Sequence, residues 1–119
     1  MKVLLKKVGQ PFEFAEIKNE LPEMQELVEG FIEVVKLAAP GFVVICDEEA
    51  LYRADRRVNC MVPTNYKRWT AISGTFFVCM TEAASFAGIP EDEKDPKELA
   101  KSLGLIVVPT IAQKAELNI

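Results

Sequence analysis

The chain contains no histidine. That removes every His-dependent catalytic triad and every Cys/His zinc site. Its three cysteines, Cys46, Cys60 and Cys79, are odd in number and have no short-range pairs, so they do not form a disulfide framework. Cys46 and Cys79 sit in or beside apolar runs and read as buried, reduced thiols. No stretch approaches the roughly 18 apolar residues that span a bilayer. The start, MKVLLKKVGQ, has too short an apolar run for a signal peptide, and no small-residue cleavage site follows. A cytoplasmic location is the expectation, with no membrane partner. Phosphate-loop motifs, internal repeats and low-complexity tracts are also missing.

What remains is a balanced globular composition. Half of the 119 residues are hydrophobic and 27% are charged, which argues against disorder and suits one domain over residues 1–119. The net charge of −4 disfavours non-specific attraction to nucleic-acid phosphates or anionic lipid, while leaving room for a local basic pocket.

Along the chain, Lys2 to Val8 reads as a strand, Gly9-Gln10-Pro11 as a turn and Phe12 to Ile17 as the returning strand. Asn19 is placed to cap a helix with Pro22 in its first turn. Leu21, Met24, Leu27 and Val28 form its apolar face and Gly30 its stop. Phe31 to Leu37 alternates as a strand does. Phe42 to Cys46 is continuously apolar, as in a central strand buried on both faces. Leu51 to Lys67 is irregular and reads as a short helical turn followed by a long loop, a common home for function. Strand segments follow at Trp69 to Ile72 and Thr75 to Met80. Thr81 caps a short helix through Phe86, and Asp95-Pro96 opens another that Gly104 ends. Leu105 to Val108 is a last strand, limited to an edge by Pro109. The order predicts an α+β fold: a mixed, mostly antiparallel sheet with one early helix and a C-terminal helical extension.

Three stretches carry a family resemblance. They are Ile17-Lys18-Asn19-Glu20-Leu21 running on from Gln25 to Val35, then Asp47-Glu48-Glu49 with Asn59 downstream, then Ile72-Ser73-Gly74-Thr75-Phe76-Phe77-Val78. In this order they resemble domain-of-unknown-function family 3846, small proteins common in phages and mobile elements. The resemblance covers residues 1–80 and leaves 81–119 as an extension. The family usually has paired glycines where this chain has Glu29-Gly30, and Asn-Glu-Glu-Gly where it has Asp47-Glu48-Glu49-Ala50. It implies a phage or plasmid setting and no particular reaction.

Two charged groups are candidates for chemistry. Asp47, Glu48 and Glu49 are the densest carboxylates, but neighbours at a strand end point in different directions, so a solvated turn is favoured over a metal site. Neither a metal nor a cofactor is expected. Arg53, Arg56 and Arg57, with Lys67 and Arg68, can instead form an anion pocket, to which Asn59 and Tyr66 add hydrogen bonds. Surface ion pairing to Asp47, Glu48, Glu49 or Asp55 is the competing reading. Gly74 and Thr75 can offer backbone N–H groups, and Tyr66 and Trp69 can stack on a ring. Cys60, near the arginines, reads as a thiol of lowered pKa without a visible base.

These residues favour a non-catalytic binding module over an enzyme. The expected partner is an anionic small molecule such as a nucleotide, or a host protein, as in a counter-defence factor. The alternatives are a small metal-dependent hydrolase on Asp47, Glu48 or Glu49, and a structural or protein-interaction oligomer. Uncovered apolar strands such as Phe42 to Cys46 and Leu105 to Val108 predict a homo-oligomer.

Overall fold

A computed structural model describes residues 1–53 and 57–110. Its first layer is a six-stranded sheet. β1 (Lys2–Lys6) pairs with β2 (Glu13–Glu16) through the Gly9-Gln10-Pro11 turn. α1 (Leu21–Val28) then crosses to β3 (Ile32–Lys36), which returns as β4 (Phe42–Asp47). A 3-10 turn at Ala50–Tyr52 leads toward a second, three-stranded sheet that begins with β5 (Val58–Pro63) and β6 (Trp69–Ser73). The chain re-enters the first sheet as β7 (Phe76–Glu82) and β8 (Ser85–Ala87). α2 (Pro96–Ser102) and β9 (Ile106–Val107) complete the described chain. The strand order is β2-β1-β7-β4-β3 with β8 on β7, and β6-β5-β9 in the smaller sheet. Every named pairing is antiparallel, so the fold is the α+β class that the residue pattern predicts.

The large sheet is apolar on both faces because each face has its own cover. Val3, Leu5, Val43, Ile45, Phe77 and Cys79 face α1, meeting Met24 and Val28. Leu4, Val44, Cys46, Phe76 and Val78 face the small sheet, meeting Cys60, Val62 and Ile72, and α2 closes that space with Leu99, Ala100 and Leu103. Phe76 and Phe77 are adjacent on β7 and fully buried in opposite layers. Each contributes roughly 1.5–3 kcal/mol by burial. Phe42 to Cys46 is thus covered within one chain, which removes that stretch as a reason for oligomerisation.

The junction after α1 explains the two positions where the resemblance expects glycines. Glu29 takes φ 60°, the left-handed conformation that glycine adopts without cost. Gly30 has a different constraint. The Asp47 carboxylate fills the space a Cβ would need. Asp47 is itself buried, so it is not part of a solvated turn as the sequence suggested, although Glu48 and Glu49 are exposed.

Three local expectations are corrected. The stretch 58–63, read as loop, is β5. Cys60 and Val62 point inward, but the register shift between Val58 and Cys60 breaks the alternation, leaving Val58 exposed and Asn59 buried beside Cys60. The helix expected from Thr81 to Phe86 is a hairpin, with Thr81 opposite Phe86 and Ala83 turning at φ 54°. A six-residue helix is too short to nucleate, whereas β8 gains a ready edge on β7 beyond the end of β1. Asn19 does not cap α1, because Glu20 occupies that position. The Asn19 amide instead donates to the Phe86 carbonyl, tying the helix entry to β8. The tail from Ala112 to Ile119, whose order the sequence leaves uncertain, lies outside the described residues.

Candidate functional site

The described members of the arginine group have different settings. Arg53 is held in place: its Nε lies 2.8 Å from Oδ2 of buried Asp47, and Nη2 lies 3.8 Å from Glu49. Arg53 is therefore the cation of a structural ion pair, the competing reading above. Arg57 is exposed, and Arg56 lies outside the described residues. Tyr66 projects from the β5–β6 turn, 79% exposed. Thr75 borders a separate groove beside α1, which Glu20, Glu23, Glu26 and Glu29 make acidic. Gly74 is committed to the fold: its N–H donates to the Arg57 carbonyl, and its own carbonyl accepts from Asn59.

Asn59 is 1% exposed and belongs to an internal network. Its Nδ2 donates to the carbonyls of Lys6 (3.0 Å) and Gly74 (2.9 Å), and its Oδ1 accepts from Lys6 Nζ at 2.9 Å. Lys6 Nζ also donates to the Lys7 carbonyl and sits 5.8 Å from the centre of the Phe12 ring. This arrangement joins β1 of the large sheet to β5 of the small one. Lys6 is only 2% exposed, and no carboxylate among the described residues pairs with it. Burial pushes its pKa below the ordinary lysine value.

Lys6 also lines a cleft of about 950 Å³. One wall is the β1–β2 turn with Gly9, Pro11 and Phe12. Another is α2 and its exit, with Lys97, Glu98, Lys101 and Gly104. Ile106, Val107 and Trp69 bring the edge strands of the small sheet to the opening. Trp69, the single tryptophan, is 54% exposed there. Local sequence sets the α2 wall. Asp95 accepts from the N–H groups of Lys97 and Glu98, and Pro96 occupies the first turn, so the helix starts where its lysines reach the cleft. Three lysines and one glutamate make the cleft locally basic on a net acidic chain. Aromatic and aliphatic walls with a few converging charges are the usual makeup of a small-molecule site. Of the ring-stacking candidates in the sequence, Trp69 stands at this cleft, and none of Arg53, Arg57, Asn59, Tyr66, Gly74 or Thr75 lines it. Lys6, Lys97 and Lys101 line this cleft without having stood out in the sequence. The signal for Lys6 was the alternation of β1, which puts it on the same face as Leu4.

The cysteines are inert by environment. Burial pushes Cys46 to about 12, helped by the charges of Glu33 and Asp47, and pushes Cys79 to about 12. Cys60 rises to about 11, with Lys6 pulling it back slightly. The lowered value expected for Cys60 is thus reversed, because it lies inside between the sheets rather than on an arginine-rich loop. All three thiols are expected to react with a disulfide reagent at pH 8 at least about 100-fold more slowly in native protein than in guanidinium. Fast native labelling of Cys60 would contradict this placement.

Among the described residues no group of three or more His, Cys, Asp or Glu side chains is arranged to hold a metal ion. None of the described helices is long and apolar enough to cross a membrane. A family model for a domain of unknown function, DUF3846, matches residues 1–103, and the chain belongs to that family. The match runs past residue 80, the limit read from the sequence, and takes in β8 and α2. No curated protein and no solved structure matches the chain.

Proposed function

We propose that this protein is a non-catalytic binding module whose ligand is a small anionic molecule with a flat ring, a nucleotide in the first instance. The observation that carries the reading is the cleft that brings Trp69 and Phe12 together with Lys6, Lys97 and Lys101. A ring stacked on an exposed indole gains about 1–3 kcal/mol, largely without regard to base identity. Lysines at the rim attract a charged ligand toward the opening. In a phage or mobile element, such a module acts by sequestering a host nucleotide signal. Calorimetry against linear and cyclic nucleotides tests this reading. Binding is expected for at least one class, weakened about tenfold or more by Lys97→Glu with Lys101→Glu. A folded protein that binds nothing across the panel would end the reading.

A second reading, self-association, is favoured by one feature. The outward face of the small sheet carries Ile106, Met61 and Ala71 in register, with Trp69 opposite Pro63 two residues further along it, and Trp69 and Ile106 are exposed. A symmetric dimer through this face would shelter them. Light scattering is expected to give a dimer that Ile106→Ser converts to a monomer. A wild-type monomer at micromolar concentration would contradict it.

A further inference from the structure

A buried cation with only neutral partners stands out in the cleft. Lys6 is among the most completely buried side chains described, and among the described residues its Nζ donates to the Asn59 amide oxygen and the Lys7 carbonyl and lies over the Phe12 ring, 5.8 Å from its centre. Buried charges are normally paired, because an ammonium loses several kcal/mol of hydration when enclosed. An ammonium also carries three donors, and two are used here. By contrast Lys2, on the same face of β1, lies over the Phe14 ring and donates to carbonyls of the Pro90–Glu93 connector, and so has a clear structural task. Lys6 also lies over a ring and ties β1 to β5, but among the described residues only two of its three donors are engaged.

We infer that the ligand's anionic group, a phosphate or carboxylate, enters the cleft and pairs directly with the Lys6 ammonium, supplying the counter-charge that Lys6 does not find among the described residues. This deepens the proposed function and rests on it: Trp69 takes the ring, Lys97 and Lys101 steer at the rim, and Lys6 holds the charge at depth. Pairing in a desolvated position is stronger than at the surface, so the depth of Lys6 sets selectivity for charged over neutral ligands.

Proton linkage follows. The free protein holds Lys6 below its ordinary value because burial disfavours the charged form. An anion beside it favours the charged form and raises it again. Between those two values, binding takes up a proton, so affinity falls as pH rises, by up to about tenfold per unit. The other titratable groups around Lys6 are Cys60 on β5 and, across the cleft, Lys97, Glu98 and Lys101 on α2.

The test compares adenosine with adenosine monophosphate by calorimetry, on wild type and Lys6→Met, which keeps the stem and removes the charge. The expected result is a preference for the monophosphate of about 30-fold or more that Lys6→Met abolishes while its thermal transition remains cooperative. If Lys6→Met does not fold, wild type alone decides: the preference must shrink from pH 8 to pH 10. Equal binding of both compounds overturns the inference and leaves the ring-binding reading standing. A preference that survives Lys6→Met unchanged, or one that does not fall with pH, also overturns it. Binding of neither compound nor any other nucleotide overturns both.

Discussion

Gly30→Ala is expected to destabilise the protein by about 2–4 kcal/mol, from an added methyl group alone. A Cβ at this position would lie 2.9 Å from Oδ2 of Asp47, 2.5 Å from its Cγ and closer still to Oδ1. The carboxylate cannot simply swing aside. Asp47 ends β4, is buried, pairs with Arg53 Nε and accepts from the Glu49 N–H. Moving it breaks the contacts that fix the 3-10 turn, and moving Gly30 breaks its N–H bond to the Gln25 carbonyl that closes α1. Urea unfolding measures the loss. A double-mutant cycle identifies the cause: with Asp47→Ala in the background, Gly30→Ala should cost at least about 1 kcal/mol less. Additive effects would mean the clash is not the reason for glycine here.

Asn59→Ala is expected to be at least as damaging, with a loss of about 3–5 kcal/mol. The substitution strips the Lys6 carbonyl and the Gly74 carbonyl of a donor, and Lys6 Nζ of an acceptor, all in the interior. An unsatisfied buried polar group costs roughly 1–3 kcal/mol, and more when charged. Asn59→Asp separates the contributions. It offers Lys6 a carboxylate but has no donor for the two carbonyls, so it should recover only part of the loss. A loss under about 1 kcal/mol for Asn59→Ala would contradict the network.

The same residue shows how far the sequence could be read. Strands β1, β3, β4, β6 and β7 announce themselves through alternation or unbroken apolar runs, and α1 and α2 through proline, apolar spacing and end signals. β5 is hidden because Asn59 is a polar residue at a buried position, satisfied mainly by groups 53 and 15 residues away in the chain. No local pattern reveals such partners. The charged residues show a related limit. Charge density drew attention to Arg53, Arg56 and Arg57, but charge density is also what surface ion pairs produce, and Arg53 is spent on Asp47. The cleft draws on residues 6 to 12, Trp69 and 97 to 107, which only the folding of α2 and β9 onto the β1–β2 turn brings together. Trp69 was legible as a ring platform. Its lysine companions were not, since Lys97 and Lys101 look like the ordinary polar side of a short helix.

Because Trp69 is the single tryptophan and stands at the cleft, its emission reports directly on the central claim. Titration with adenosine monophosphate and with cyclic nucleotides should quench and shift that emission saturably for the nucleotide class that binds, with an affinity matching calorimetry. Emission unmoved by every nucleotide up to about 1 mM, the weak limit of specific binding, would contradict a ligand site at this cleft.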